Sequence, residues 1–133
     1  MPSAHAQGAV VRLLLIDQCR TGLRTTREAL AGHWGSGIEM VATSDTAAAA
    51  QVLRTTPIDV VLADCGTVAL AGGLEAGFSR LAELAGGALI LALTDGISVS
   101  VAVEAMRSGA HDTLARPVSG AVLACRLEEL GRR

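Results

Sequence analysis

Polar residues close four apolar runs in this chain, and their types belong together. "VVRLLLI" (10–16) ends at Asp17 and Gln18, "IDVVLAD" (58–64) at Asp64, and "GALILALT" (87–94) at Thr94. "GAHDTLARP" (109–117) reads as a glycine turn, a short apolar strand and an abrupt Arg116-Pro117 stop. Two carboxylates, a hydroxyl and a guanidinium are thereby set at the ends of separate runs. The arginine is a planar fork that pairs well with carboxylates, so Arg116 is expected to pair with Asp64 or Asp17.

Those residues can meet only if the runs are strands of one sheet. None of the runs alternates with polar residues, which is the pattern of strands covered by helices on both faces. "IEMVAT" (38–43) is a weaker strand suited to an edge. Helical patterns separate the strands. They cover 20–34, with Leu23, Arg27, Leu30 and Trp34 at helical spacing, and 44–57, with Ser44 or Asp45 as N-cap and Pro57 beyond the end. Three more span 72–84, 98–109 and 119–130. Strict alternation predicts an α/β fold: a five-stranded parallel sheet with helices on both faces and right-handed crossovers. In such sheets the crevice lies beyond the carboxyl ends of the strands, which is where Asp17, Gln18, Asp64, Thr94 and Arg116 stand.

Composition narrows the chemistry further. The 133 residues suit one domain, and half are hydrophobic, enough for a real core. Trp34 and Phe78 are the only aromatic residues, so the core must be aliphatic and stacking platforms for bases or flavins are hard to build. A net charge of -2 without a dense basic cluster argues against direct nucleic-acid binding. The longest mostly apolar run, "AGGALILALT" (85–94), is far short of the roughly 20 residues of a membrane span. "MPSAHAQGA" has neither a cationic start nor an apolar signal core, and residues 1–9 read as a flexible tail. Cys19, Cys65 and Cys125 have no metal-ligand spacing and suit free thiols in a reducing compartment, so a cytoplasmic location is the simplest expectation.

Over nearly its whole length the chain resembles the receiver domain of two-component response regulators. The resemblance rests on "LLLIDQ", "IDVVLAD", Gly72 eight residues after Asp64, "LALT" with Thr94 thirty after it, and Arg116 fifty-two after it. "SVSVAVEAMRSGAHD" looks most like receivers that precede sigma-54 activator modules. The resemblance implies the flavodoxin-like (βα)5 fold with strand order 2-1-3-4-5 over residues 10–131, and a signalling module in place of an enzyme. It makes Asp64 the phosphoacceptor for a histidine kinase, with Thr94 and Arg116 contacting the phosphoryl group and Thr113 at the switch position. It also implies a magnesium ion held by Asp17, Asp64 and the Gly66 carbonyl, which would neutralise phosphoryl oxygens during in-line transfer.

Several positions depart from that pattern. Gln18 stands where the second acid is expected, and a neutral amide is a poor ligand for a hard cation, so magnesium affinity should fall. Arg116 replaces a lysine, Val68 a proline, and Thr113 the aromatic ring whose rotation reports phosphorylation. One acid fewer also lessens carboxylate repulsion, so a metal-free state should be better tolerated. The leading expectation is therefore a degenerate receiver-like module that controls an effector by protein contact or dimerisation. The alternative is a working acceptor, phosphorylated on Asp64.

Other features admit plainer explanations. Val99, Val103 and Met106 are either helix core or, as the resemblance implies, part of a homodimer face formed with the last strand and last helix. Cys19 and Cys65 adjoin site aspartates and could sense redox state, although buried inert thiols are commoner. His111 is expected on the solvent side of a strand, and His33 and Trp34 far from the site. A haloacid-dehalogenase-like phosphatase is a remote alternative. "DQCRT" places Thr21 four residues after Asp17, but Cys19 occupies the place where that chemistry needs its acid.

Overall fold

A computed structural model describes residues 10–96 and 98–131; the tail proposed for residues 1–9 lies outside the described residues. Five strands form one parallel sheet: β1 (Val11–Ile16), β2 (Ile38–Thr43), β3 (Val60–Asp64), β4 (Leu89–Thr94) and β5 (Asp112–Ala115). The spatial order is β2-β1-β3-β4-β5, as expected, with the weaker β2 at an edge. All five residues of β3 are buried, because a central strand is covered on both faces, whereas β2 shows mixed exposure.

Strand periodicity sorts the core into two layers. Leu13 and Leu15 of β1 face α1 (Arg20–Trp34) and α6 (Gly120–Gly131), packing with Leu30, Leu123 and Leu127. Leu14 and Ile16 face the opposite way, towards α2 (Thr46–Thr55), α3 (Cys65–Ala69), α4 (Leu74–Ala85) and α5 (Val99–Ser108). There Phe78 and Leu81 of α4 supply bulk, while Ala49, Ala92 and Ala105 allow close approach. Asp45, one of the two N-cap candidates, accepts from the Ala48 amide and caps α2.

The sequence pattern misses α3. Its five residues are too few to show helical periodicity, and its N-cap is Asp64 itself, which reads as the end of a strand. The pattern also starts the next helix two residues early. Gly72 and Gly73 adopt φ of 90° and 109°, conformations open to glycine, and they turn the chain between α3 and α4. The two helices then meet at Gly77, where a Cβ would lie 2.4 Å from Val68 Cγ1. None of the described helices is long and apolar enough to cross a membrane.

Candidate functional site

Register brings the strand ends into one row. Ile16 lies beside Ala63, Asp64 beside Leu93, and Thr94 beside Ala115. The first residues past β1 and β5 are tied to that row by backbone bonds, from the Asp17 amide to the Thr43 carbonyl and from the Arg116 amide to the Thr94 carbonyl. Asp17, Asp64 and Arg116, 99 and 52 residues apart along the chain, become neighbours.

Arg116 is the hub. Its Nη1 donates to Asp17 Oδ2 at 2.9 Å, its Nη2 to Asp64 Oδ1, and its Nε lies 3.0 Å from Asp95 Oδ1. Asp17 and Asp64 are buried, whereas Asp95 is largely exposed. A guanidinium can serve three carboxylates at once because its donors point in three directions; a lysine ammonium would meet them from a single atom. Burial works against the cation, but the hydrogen bond and charge of Asp64, followed by those of Asp17, raise the Arg116 pKa above its ordinary value.

The remaining oxygens are also occupied. Asp17 Oδ1 accepts from the Cys19 amide at 2.9 Å. Asp64 Oδ2 accepts from the Thr67 amide at 3.0 Å and the Thr67 hydroxyl at 2.7 Å. The Thr67 hydroxyl oxygen in turn accepts from the Gln18 amide at 2.9 Å, which links the loop after β1 to the start of α3. Each carboxylate oxygen of the two buried acids thus already has a donor, which is what burial of a charge requires.

Thr94 is buried at the end of β4, and its hydroxyl donates to the Gly96 carbonyl within its own loop, at 3.3 Å. Gly66 is the second residue of α3, on the Asp64 side, where a Cβ would lie 3.4 Å from Asp64 Oδ2. Gln18 is exposed and enters the network through its backbone. Thr113 is half-buried on β5 beside Ala92. Val99, Val103 and Met106 are 69%, 40% and 47% exposed, which corrects the alternative that they are helix core; the fully buried residue of α5 is Ala105.

The donor set does not fit a magnesium ion. The guanidinium stands between the carboxylates where a cation would neutralise them, and Gln18 offers no acid. Among the described residues no group of three His, Cys, Asp or Glu is arranged to hold a metal. The proposed thiol pair fares no better. Cys65 is buried, and desolvation, with the Asp64 charge adding and Arg116 opposing, pushes its pKa up to about 11, so little thiolate forms near neutrality. Cys19 is exposed.

Three contributors were not singled out from sequence. Thr67 stands three residues after Asp64, the spacing of an N-cap to its N3 partner, a signal hidden by the strand before it. Asp95 directly follows Thr94, and only the fold brings it to Arg116. Gly22 has no sequence signal at all: it faces the ion pair from α1, where a Cβ would lie 2.5 Å from Asp17 Oδ2 and 3.2 Å from Arg116 Nη1. His111 is exposed, but it sits just before β5 and its Nδ1 accepts from the Ile90 amide at 3.0 Å, a structural bond to β4. His33 packs edge-on against Trp34 at 4.6 Å between ring centroids.

No family model matches the chain, and no curated protein matches it. Solved structures do. A response regulator from Thermotoga maritima superposes with a TM-score of 0.76 at 18% identity, over 93% of this chain and 99% of that one. A CheY-like response regulator receiver domain protein from Methanospirillum hungatei gives 0.72 at 18% identity, over 92% and 94%. A Burkholderia pseudomallei response regulator, solved with a phosphorylated aspartic acid, calcium ion and citrate, gives 0.74 at 20% identity, over 92% and 71%. With the strand order and the helices on both faces of the sheet, these likenesses establish that the chain has the fold of response-regulator receiver domains.

Proposed function

We propose that residues 10–131 form a receiver-like signalling module whose phosphoacceptor position, Asp64, is held in a salt bridge and whose output is contact with an effector protein or a second copy of itself. The observation that carries this reading is the fourfold occupation of the Asp17 and Asp64 oxygens by Arg116, Cys19 and Thr67. Arg116 supplies the positive charge that a metal would otherwise bring, and it does so permanently. Thr113 has no ring to rotate, so the module signals without the aromatic switch. The exposed Val99, Val103 and Met106 of α5 are the surface through which it pairs, together with β5 and α6. A histidine kinase is the partner only if Asp64 can be freed.

The working-acceptor alternative retains Asp64 beside a hydroxyl, Thr94, and a cation, Arg116. It needs Arg116 to release Asp64 before an incoming phosphoryl group can bond to either oxygen. An amide-resolved NMR titration with magnesium and then beryllofluoride separates the two. The expected result is no saturable shift at Asp17, Asp64, Thr94 or Arg116 at millimolar metal. Saturable shifts clustered at those residues would replace the constitutive reading with the phosphorylated one.

A further inference from the structure

Asp64 has two oxygens with different duties. Oδ1 meets Arg116, while Oδ2 is the N-cap of α3, held by both the amide and the hydroxyl of Thr67. Thr67 is buried, and its hydroxyl oxygen also receives the Gln18 amide, so one side chain joins the loop after β1, the end of β3 and the first turn of α3. Beyond it the geometry is tight. Val68 is wedged against Gly77 of α4, and the segment ends at Leu70, 72% exposed, the most exposed large apolar residue among those described.

We infer that Thr67 is a positioning residue that couples the Asp64 carboxylate to α3, so that α3 and its exposed end at Leu70 form the surface that responds to the state of Asp64. A five-residue helix cannot hold itself together by propagation alone, so its cap and its packing decide whether it forms. Withdrawing Oδ2, by a new bond to that oxygen or by a competing ligand, removes the cap from two donors at once. The loosened turn is then felt at Leu70, and at α4 through the Val68–Gly77 contact. The α5 face has no comparable link: the Thr94 hydroxyl bonds within its own loop and Thr113 carries no ring. This inference rests on the proposal that Asp64 is the phosphoacceptor position of a receiver-like module, but it concerns how that carboxylate is wired and needs no phosphoryl group to be tested.

Amide hydrogen exchange in the intact chain provides the test, applied to wild type, Asp64→Ala, Thr67→Val, Thr67→Ser and Arg116→Lys. The reporters are the Leu70, Ala71 and Gly73 amides, which bond to the Thr67, Val68 and Ala69 carbonyls. Loss of the cap in Asp64→Ala should speed their exchange about fivefold, the usual worth of an N-cap. Thr67→Val keeps shape and loses the hydroxyl; it should speed the same amides and the Gln18 amide. Thr67→Ser should restore wild-type rates, and Arg116→Lys, which acts on the other oxygen, should leave the α3 reporters within about twofold. The Ala102 and Ala110 amides of the α5 region should stay unchanged throughout. Equal acceleration in α5 and α3, or unchanged Gln18 and α3 rates in Thr67→Val, would overturn the inference. Should Asp64→Ala fail to fold, the Thr67 pair decides alone. Metal-dependent shifts in the wild type would remove the constitutive reading and leave this exchange pattern standing.

Discussion

The mouth of the sheet and the outer face of α5 differ in what they leave unfinished. At the mouth, Arg116, Asp17, Asp64 and Thr67 satisfy one another, and the two buried acids have no oxygen without a donor. On α5, Val99, Val103 and Met106 are exposed large apolar side chains. Buried charge must be paired where it sits, whereas exposed apolar surface costs little until a partner covers it. The ion-pair centre therefore contributes to holding the domain together, and the helix face is free to make contacts. In this protein the place where chemistry is expected is the closed one.

Opening the centre should have the largest effect. Arg116→Met leaves two neighbouring buried carboxylates without a counter-ion, and removing one partner of such a network costs about 3–5 kcal/mol. Urea unfolding should show a midpoint lowered accordingly with an unchanged slope; a loss under about 1 kcal/mol would mean that the mouth is wetter and looser than its geometry. Gly22→Ala tests the same centre from α1. Its Cβ would sit 2.5 Å from Asp17 Oδ2, so the acid must shift and strain the Arg116 pairing, for about 1–3 kcal/mol. Gly32, on the same helix with nothing within 4 Å, is the control, and Gly32→Ala should not destabilise.

The next prediction sharpens the contrast through pH. Cys65 ionises near 11 when folded against an ordinary 9.0, so the unfolded chain loses the proton first. Stability from the neutral thiol is fully present below pH 9 and is lost as pH rises from about 9 to 11. The chain contains neither lysine nor tyrosine, so apart from the cysteines themselves no common side-chain type titrates in that window. Unfolding midpoints measured across it should fall more steeply in the wild type than in Cys65→Ala. Parallel slopes would show that Cys65 is more hydrated than its packing against the core implies. At pH 8 a thiol reagent should label exposed Cys19 and Cys125 quickly and Cys65 only on unfolding.

The smallest effect on stability belongs to the α5 face. Val103→Glu with Met106→Glu should change unfolding free energy by less than about 0.5 kcal/mol per site, as exposed substitutions do. Sedimentation equilibrium should nonetheless show loss of self-association. A dimer that survives both changes would move the contact surface elsewhere, and a large loss of stability would mean that these side chains are packed after all.

The sequence by itself determined the fold class. Unbroken aliphatic runs alternating with helical patterns allow few arrangements other than a parallel sheet covered on both faces, and the row of strand ends follows from that topology. It also identified Arg116 as the unusual residue, because a charge before proline at the end of an apolar run is conspicuous, and it identified carboxylates as the partners. Tertiary structure decided how many. Asp17, Asp64 and Asp95 converge on one guanidinium because strand register and two loops bring them there, and no spacing along the chain encodes that distance. Thr67 and Gly22 were decided the same way. A hydroxyl in a five-residue helix has no periodicity to announce it, and a glycine needed only for the absence of its side chain can be recognised only once the carboxylate it faces is in place.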